Sequence, residues 1–175
     1  MADLPPPNVE IDRDTDWPGN LSFIRDYWLD KRGARTMPSR DDIHPAQLKP
    51  WLPHLLLADV IEGGADFRYR LVGTELRRFF RAEPSTKYMS EALAPFGAET
   101  VQATLDSYRA VVGRRAPMRL TGAGSWYGQD LKLFDALLAP LSDDDARVNM
   151  ILGTFVFEWD VKNQFRNPRD SRLAG

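Results

Sequence analysis

The chain has 175 residues, 43% hydrophobic and 27% charged, with 23 basic against 25 acidic side chains for a net charge of −2. That length suits one domain with a core large enough to need no disulfide or metal staple, and the charge balance leaves no basic footprint for nucleic acid. There is no cysteine, which excludes disulfides, cysteine-ligated zinc, iron–sulfur clusters, thiolate haem, cysteine nucleophiles and photochemistry through a cysteinyl adduct.

Residues 1–19 hold four prolines (Pro5, Pro6, Pro7 and Pro18) and many acids. They read as a flexible leader without helix or strand periodicity. They lack the positive start and apolar run of a secretory signal. No stretch reaches the roughly 18–20 apolar residues of a membrane span. The expectation is a soluble, cytoplasmic protein with no membrane contact.

A helix is predicted from a cap at Asn20 to Lys31, with Gly33 as its stop. Leu21, Ile24 and Trp28 fall at i, i+3 and i+7, and Phe23 and Tyr27 widen that stripe. So broad a face needs a partner surface, either the chain's own core or a second subunit. Leu21, Ile24 and Trp28 are therefore candidate interface residues of a homodimer.

Prolines 38, 45, 50 and 53 punctuate the next segment, with a short helix over Ala46–Lys49 after Pro45. Leu55–Ile61 reads as a strand, Gly63-Gly64 as a hairpin turn, and the alternation of Phe67, Tyr69 and Leu71 with Arg68, Arg70 and Val72 as a second strand. A short helix is expected from Thr74 through Phe80, then loop and irregular helix over Arg81–Pro95. Ala98–Val112 carries Val101, Leu105, Tyr108 and Val112 at i, i+4, i+7 and i+11, with Gly113 as its stop. Three strands follow, over Arg115–Gly122, Leu131–Leu141 and Val148–Trp159. Residues 160–175 read as a polar tail.

This order predicts one α+β domain over residues 20–159. Its five strands form an antiparallel sheet with helices on one face, preceded by an extra N-terminal helix. The other face is expected to be more solvated.

Several short runs resemble a bacterial PAS-like family of stand-alone, single-domain proteins. They are Tyr27-Trp28, Pro38 to Asp42-Ile43, Leu48-Lys49-Pro50 with Leu52-Pro53, Asp66 through Thr74, Tyr108-Arg109, and Pro140 through Asp144. The resemblance covers roughly residues 20–157. It implies a five-stranded sensory fold, a role in signal transduction, and a small molecule held between sheet and long helix or a protein partner on the sheet's outer face. In such a fold Leu71, Phe80, Tyr88, Leu105, Tyr108 and Leu137 would line the helix–sheet space. Filled side to side, this set is simply a core; with a void, it is an apolar ligand pocket.

No catalytic or metal site emerges from the residues. His44 and His54 are the only histidines and belong to no metal-binding spacing. Haem-binding relatives usually place the axial histidine on the long helix, which here has none, so haem is disfavoured alongside cysteine-adduct flavin. The cofactor is left unknown. Ser125 lies outside any nucleophile elbow. Asp135 is the anomaly: it shares its period-two phase with Leu133, Leu137 and Leu141. A carboxylate there needs a partner, for which Arg68 or Arg70 is a candidate, or it contacts a ligand.

Trp126 and Tyr127 are candidate binding-edge aromatics. Phe155, Phe157 and Trp159 form a row that, on the outer face, predicts a partner interface. Three readings follow: a sensory module binding a small molecule, a protein partner or both; a ligand-free scaffold working through that row; and, ranked last, a small enzyme using the helix–sheet cavity.

Overall fold

The computed structural model describes residues 19–80, 83–123 and 131–159. The expected leader, tail and the Ser125, Trp126 and Tyr127 segment lie outside the described residues. Helix α1 spans Gly19–Arg32. It stops where Gly33 turns left-handed at φ 54°, a conformation glycine adopts without steric cost. A 3-10 segment follows over Pro45–His54, longer than the predicted Ala46–Lys49. Strands β1 (Leu55–Ile61) and β2 (Asp66–Val72) form a hairpin through Gly63 and Gly64. Helices α2 (Thr74–Arg77), α3 (Met89–Leu93) and α4 (Ala98–Arg114) lead to β3 (Met118–Ala123), β4 (Leu131–Leu141) and β5 (Met150–Trp159).

The strands form one five-stranded antiparallel sheet in the order β2-β1-β5-β4-β3. The first and last strands thus meet at its centre. Helix α4 runs through Gly113, and the chain turns instead at Arg115, whose φ is 57°. The buried stripe of α4 is Thr100, Leu105, Ser107, Tyr108 and Val111, so Val111 replaces the expected Val112.

Both faces of the sheet are covered. On β1, Leu55 through Ala58 are buried without a break, as are Ala136 through Leu141 on β4. Consecutive strand residues point to opposite faces, so an unbroken buried run requires a layer on each side. The helices α2–α4 occupy one side. Helix α1 packs on β4 and β5 and supplies the other layer, with the 3-10 segment beside it on β5. The expected solvated face is therefore corrected. Leu21, Ile24 and Trp28 are 0–1% exposed in the chain's own core. The subunit contact assigned to them is corrected for the same reason, since a side chain already enclosed offers no surface to a second copy.

Trp28 Nε1–H donates to the Pro140 carbonyl at 2.8 Å. That carbonyl lies past the last β3 pairing, Met118 with Leu138, so the indole satisfies an edge acceptor that has run out of strand. The loop after α1 is then stapled to the β4–β5 turn. Asp145 Oδ1 accepts the N–H groups of Thr36 and Met37, Arg35 donates to the Ser142 carbonyl, and Ser142 N–H donates to the Pro38 carbonyl.

Two carboxylates tie these turns with a pH signature. The backbone N–H of Arg147, then that of Ala146, then the Arg147 guanidinium donate to Asp144 and hold its carboxyl far below the usual range. Asp42 is lowered chiefly by the backbone N–H and then the hydroxyl of Ser39, with Arg35 adding to it. A depressed folded pKa stabilises the fold above the unfolded value of about 3.9, and the gain fades as pH falls. The melting temperature is therefore expected to be level from pH 7 to 5 and to fall below about pH 4. The Asp144→Asn variant should melt lower at pH 7, and its gap to the wild type should narrow steadily as pH falls from about 4 to 2. A constant gap at every pH would contradict this.

Candidate functional site

A cavity of about 60 Å³ lies between the sheet and helices α2–α4. The sheet contributes Leu56, Tyr69, Leu120, Phe134, Phe155 and Phe157, and the helical side contributes Leu76, Phe79, Phe80, Leu93, Thr104, Ser107 and Tyr108. Rings dominate the wall. Phe79 stacks on Phe157 at 5.7 Å between centroids and on Phe96 at 5.1 Å, and meets Phe80 edge-on at 5.3 Å. Tyr69 meets Phe80 edge-on at 5.4 Å. Such offset and edge-to-face pairs fix ring orientation beyond simple burial. Protein interiors ordinarily close to crystal-like density, so a gap among these side chains is an exception.

Gly122 and Gly153 keep the sheet side of the cavity open. A Cβ on Gly122 would stand 2.4 Å from the Phe134 ring, and one on Gly153 would stand 2.9 Å from Leu56. Helix α4 is anchored beside the site from the turn below. Arg109 Nε donates to the Gly64 carbonyl at 2.8 Å and Nη2 to that of Ala65 at 3.0 Å, clamping the β1–β2 hairpin.

Of the residues expected in the helix–sheet space, Phe80 and Tyr108 line the cavity. Leu105 is buried but outside the lining. Leu137 is fully buried under the α1 layer, because its neighbours Ala136 and Leu138 take the cavity side. Leu71 is 40% exposed. Between Leu57 and Ala58 the partner register skips from Leu71 to Tyr69, leaving Arg70 as the extra residue of a β-bulge. The bulge reverses the alternation, so Val72 turns inward and Leu71 outward. Tyr88 is 39% exposed and sits outside β2, bridged to Arg68.

Asp135 also misses the cavity. It shares the α1 side of β4 with Leu137, opposite Phe134, and pairs with Arg119 through two bonds of 2.9 and 2.7 Å. Arg68 and Arg70 instead grip Asp59 at 3.0 and 2.7 Å near the far edge of the sheet. The expected Asp135 partner is corrected accordingly: β2 and β4 are separated by two strands.

Phe155 and Phe157 line the cavity, so the outer-face interface assigned to them is corrected. They follow Gly153 on the side opposite Thr154 and Leu152, which face α1. The side chain of Trp159 lies outside the described residues. The cavity residues the sequence reading missed include Phe79, Phe134, Thr104 and Ser107. One signal was present: Thr100, Thr104 and Ser107 fall at i, i+4 and i+7 beside Tyr108, a hydroxyl-bearing stripe on the apolar side of a helix.

Among the described residues no group of three or more His, Cys, Asp and Glu could hold a metal ion, and no helix is long and apolar enough to cross a membrane. A family model described as a PAS domain matches residues 19–156. The chain belongs to the PAS domain family. A search of curated proteins finds no match. The matched span begins at α1 and ends in β5, so the N-terminal helix lies inside it. PAS domains are in general sensory and signalling modules, and the five-stranded antiparallel sheet with its helices is the PAS arrangement.

Proposed function

We propose that this PAS domain is a cytoplasmic, non-enzymatic sensor that binds a small molecule between α4 and the sheet and signals through a protein partner. The observation that carries the reading is the cavity itself, a gap walled by phenylalanines where a core would ordinarily close. Strand β5 offers a route outward. Phe155 and Phe157 meet the cavity, while Leu152 and Thr154 are buried on the α1 side. A ligand that moves those rings displaces the strand on which α1 rests. Such a ligand biases α1 only by the difference in its affinity for the two states.

The scaffold alternative loses support, because Phe155 and Phe157 of its proposed outer row point inward. The test is native mass spectrometry of gently purified protein, followed by a denatured spectrum and hydrogen exchange. A small co-purifying mass, lost on denaturation, together with slower exchange in α1 when it is bound, is the expected result. A bare chain whose α1 exchange is indifferent to added metabolite extracts would overturn the reading. The same native spectrum reports whether the protein is the expected homodimer.

A further inference from the structure

We infer that the cavity takes an uncharged, single-ring-sized apolar molecule carrying an O–H or N–H donor, a specification that rests on the ligand-binding reading above. Three observations fix the class. First, no Asp, Glu, Lys, Arg or His among the described residues lines the cavity. An ion entering would lose its hydration with no opposite charge to meet it, a cost far above that of a neutral polar group.

Second, the two aliphatic hydroxyls on the α4 wall, Thr104 and Ser107, have already placed their protons. Thr104 Oγ1–H donates to the Thr100 carbonyl at 2.8 Å, and Ser107 Oγ–H donates to the Ala103 carbonyl at 2.9 Å. A hydroxyl has one donor and two acceptor lone pairs. With the donor committed to the helix, each oxygen has only acceptor capacity left for a ligand. A ligand acceptor placed there is repelled, whereas a ligand donor is bound. Both oxygens stand about one helical turn apart and form one polar stripe in a mostly apolar chamber that Tyr69 and Tyr108 also line.

Third, size limits the occupant. About 60 Å³ is below the roughly 150 Å³ of a dry cavity that admits benzene. The rings Phe80, Phe155 and Phe157 are only partly buried and supply the remaining space by rotating outward. A multi-ring cofactor would require the sheet and α4 to separate.

The test is a ¹⁵N–¹H NMR titration of the full chain with four probes at pH 7: phenol, toluene, benzamide and benzoate. Phenol and toluene have the same heavy-atom count and differ in the donor; benzamide and benzoate differ in charge. Phenol is expected to saturate the site with an affinity within about tenfold of toluene's, although a purely apolar cavity disfavours its hydroxyl. Benzamide is expected to bind at least about tenfold tighter than benzoate.

The double variant Thr104→Val, Ser107→Ala should weaken phenol by about 3–10-fold, the range of one hydrogen bond, and leave toluene within about twofold. If that variant does not fold, the wild-type pairs decide alone. Saturation by toluene with no phenol binding, or benzoate equal to benzamide, overturns the ligand class and leaves the pocket reading standing. No saturable shift from any of the four overturns both.

Discussion

Replacing Trp28 by alanine is expected to remove about 3–5 kcal/mol of stability, the range for deleting a fully buried aromatic. The side chain is 1% exposed and donates to the Pro140 carbonyl from within the core. Alanine leaves both a cavity and an unsatisfied carbonyl. Total stability of a domain this size is about 5–15 kcal/mol, so the variant should sit near its unfolding threshold. In a urea titration the midpoint should fall sharply, and the melting temperature should drop by roughly 6–20 °C.

Trp28→Phe keeps most of the packing and loses the hydrogen bond, so its cost should be smaller, about 1–3 kcal/mol. The consequence reaches function, because Trp28 pins α1 over β4 and β5. Hydrogen exchange should show α1 opening before the sheet does, uncovering Leu137 and Leu152. If Trp28→Ala changed stability by less than about 1 kcal/mol, within ordinary surface variation, α1 would not be docked as described.

The second large effect is expected at Gly73, between β2 and α2. A Cβ there would stand 2.3 Å from the carbonyl oxygens of both Leu52 and Pro53. These are backbone atoms at the end of the 3-10 segment, so no rotamer change relieves the clash. Gly73 N–H also donates to the Leu55 carbonyl at 2.7 Å, which holds the two backbones at that separation. Its φ of −63° is ordinary, so the demand is for space and not for a left-handed backbone.

Gly73→Ala should cost at least the roughly 1–3 kcal/mol typical of overpacking and should shift the start of β1. Gly113→Ala gives the opposite sign. A Cβ at Gly113 meets nothing within 4 Å, and the residue lies inside α4. Alanine there should stabilise by about 0.4–1 kcal/mol by narrowing the unfolded ensemble. Paired denaturant curves read both effects. Equal midpoints for the two variants would mean that the contact at Gly73 is looser than the structure has it.

Much of the fold was legible because its signals are local. The β1–β2 hairpin follows from Gly63-Gly64 between two alternating runs. Strand β4 was predicted over the residues it occupies, Leu131–Leu141. Boundaries moved where a local rule had a competitor. Gly113 looked like a stop, yet α4 continues to Arg114, because Arg115 adopts the left-handed cap and donates its Nη2 N–H to the Asp145 carbonyl at 2.7 Å. That contact comes from a turn 30 residues away, which no window around Gly113 contains.

The site was less legible, because period two gives a residue's phase and not the layer it faces. Asp135 was correctly set in phase with Leu137, but both belong to the α1 side. With apolar residues on both faces of β4, nothing along that strand distinguishes the cavity face from the other. Leu71 was lost to one extra residue at Arg70, which turns it to solvent without altering the hydrophobic pattern.

By itself the sequence determined the class of the protein: a cysteine-free α+β fold with five strands, a long helix and PAS-like runs. Those properties reside in composition, spacing and turn chemistry, each readable within a few residues. The tertiary structure alone decided that α1 is spent on the chain's own sheet, that Phe155 and Phe157 turn inward, and that packed rings leave a gap beneath α4. Burial and voids are sums over segments distant in the chain, so they exist only once the layers have met.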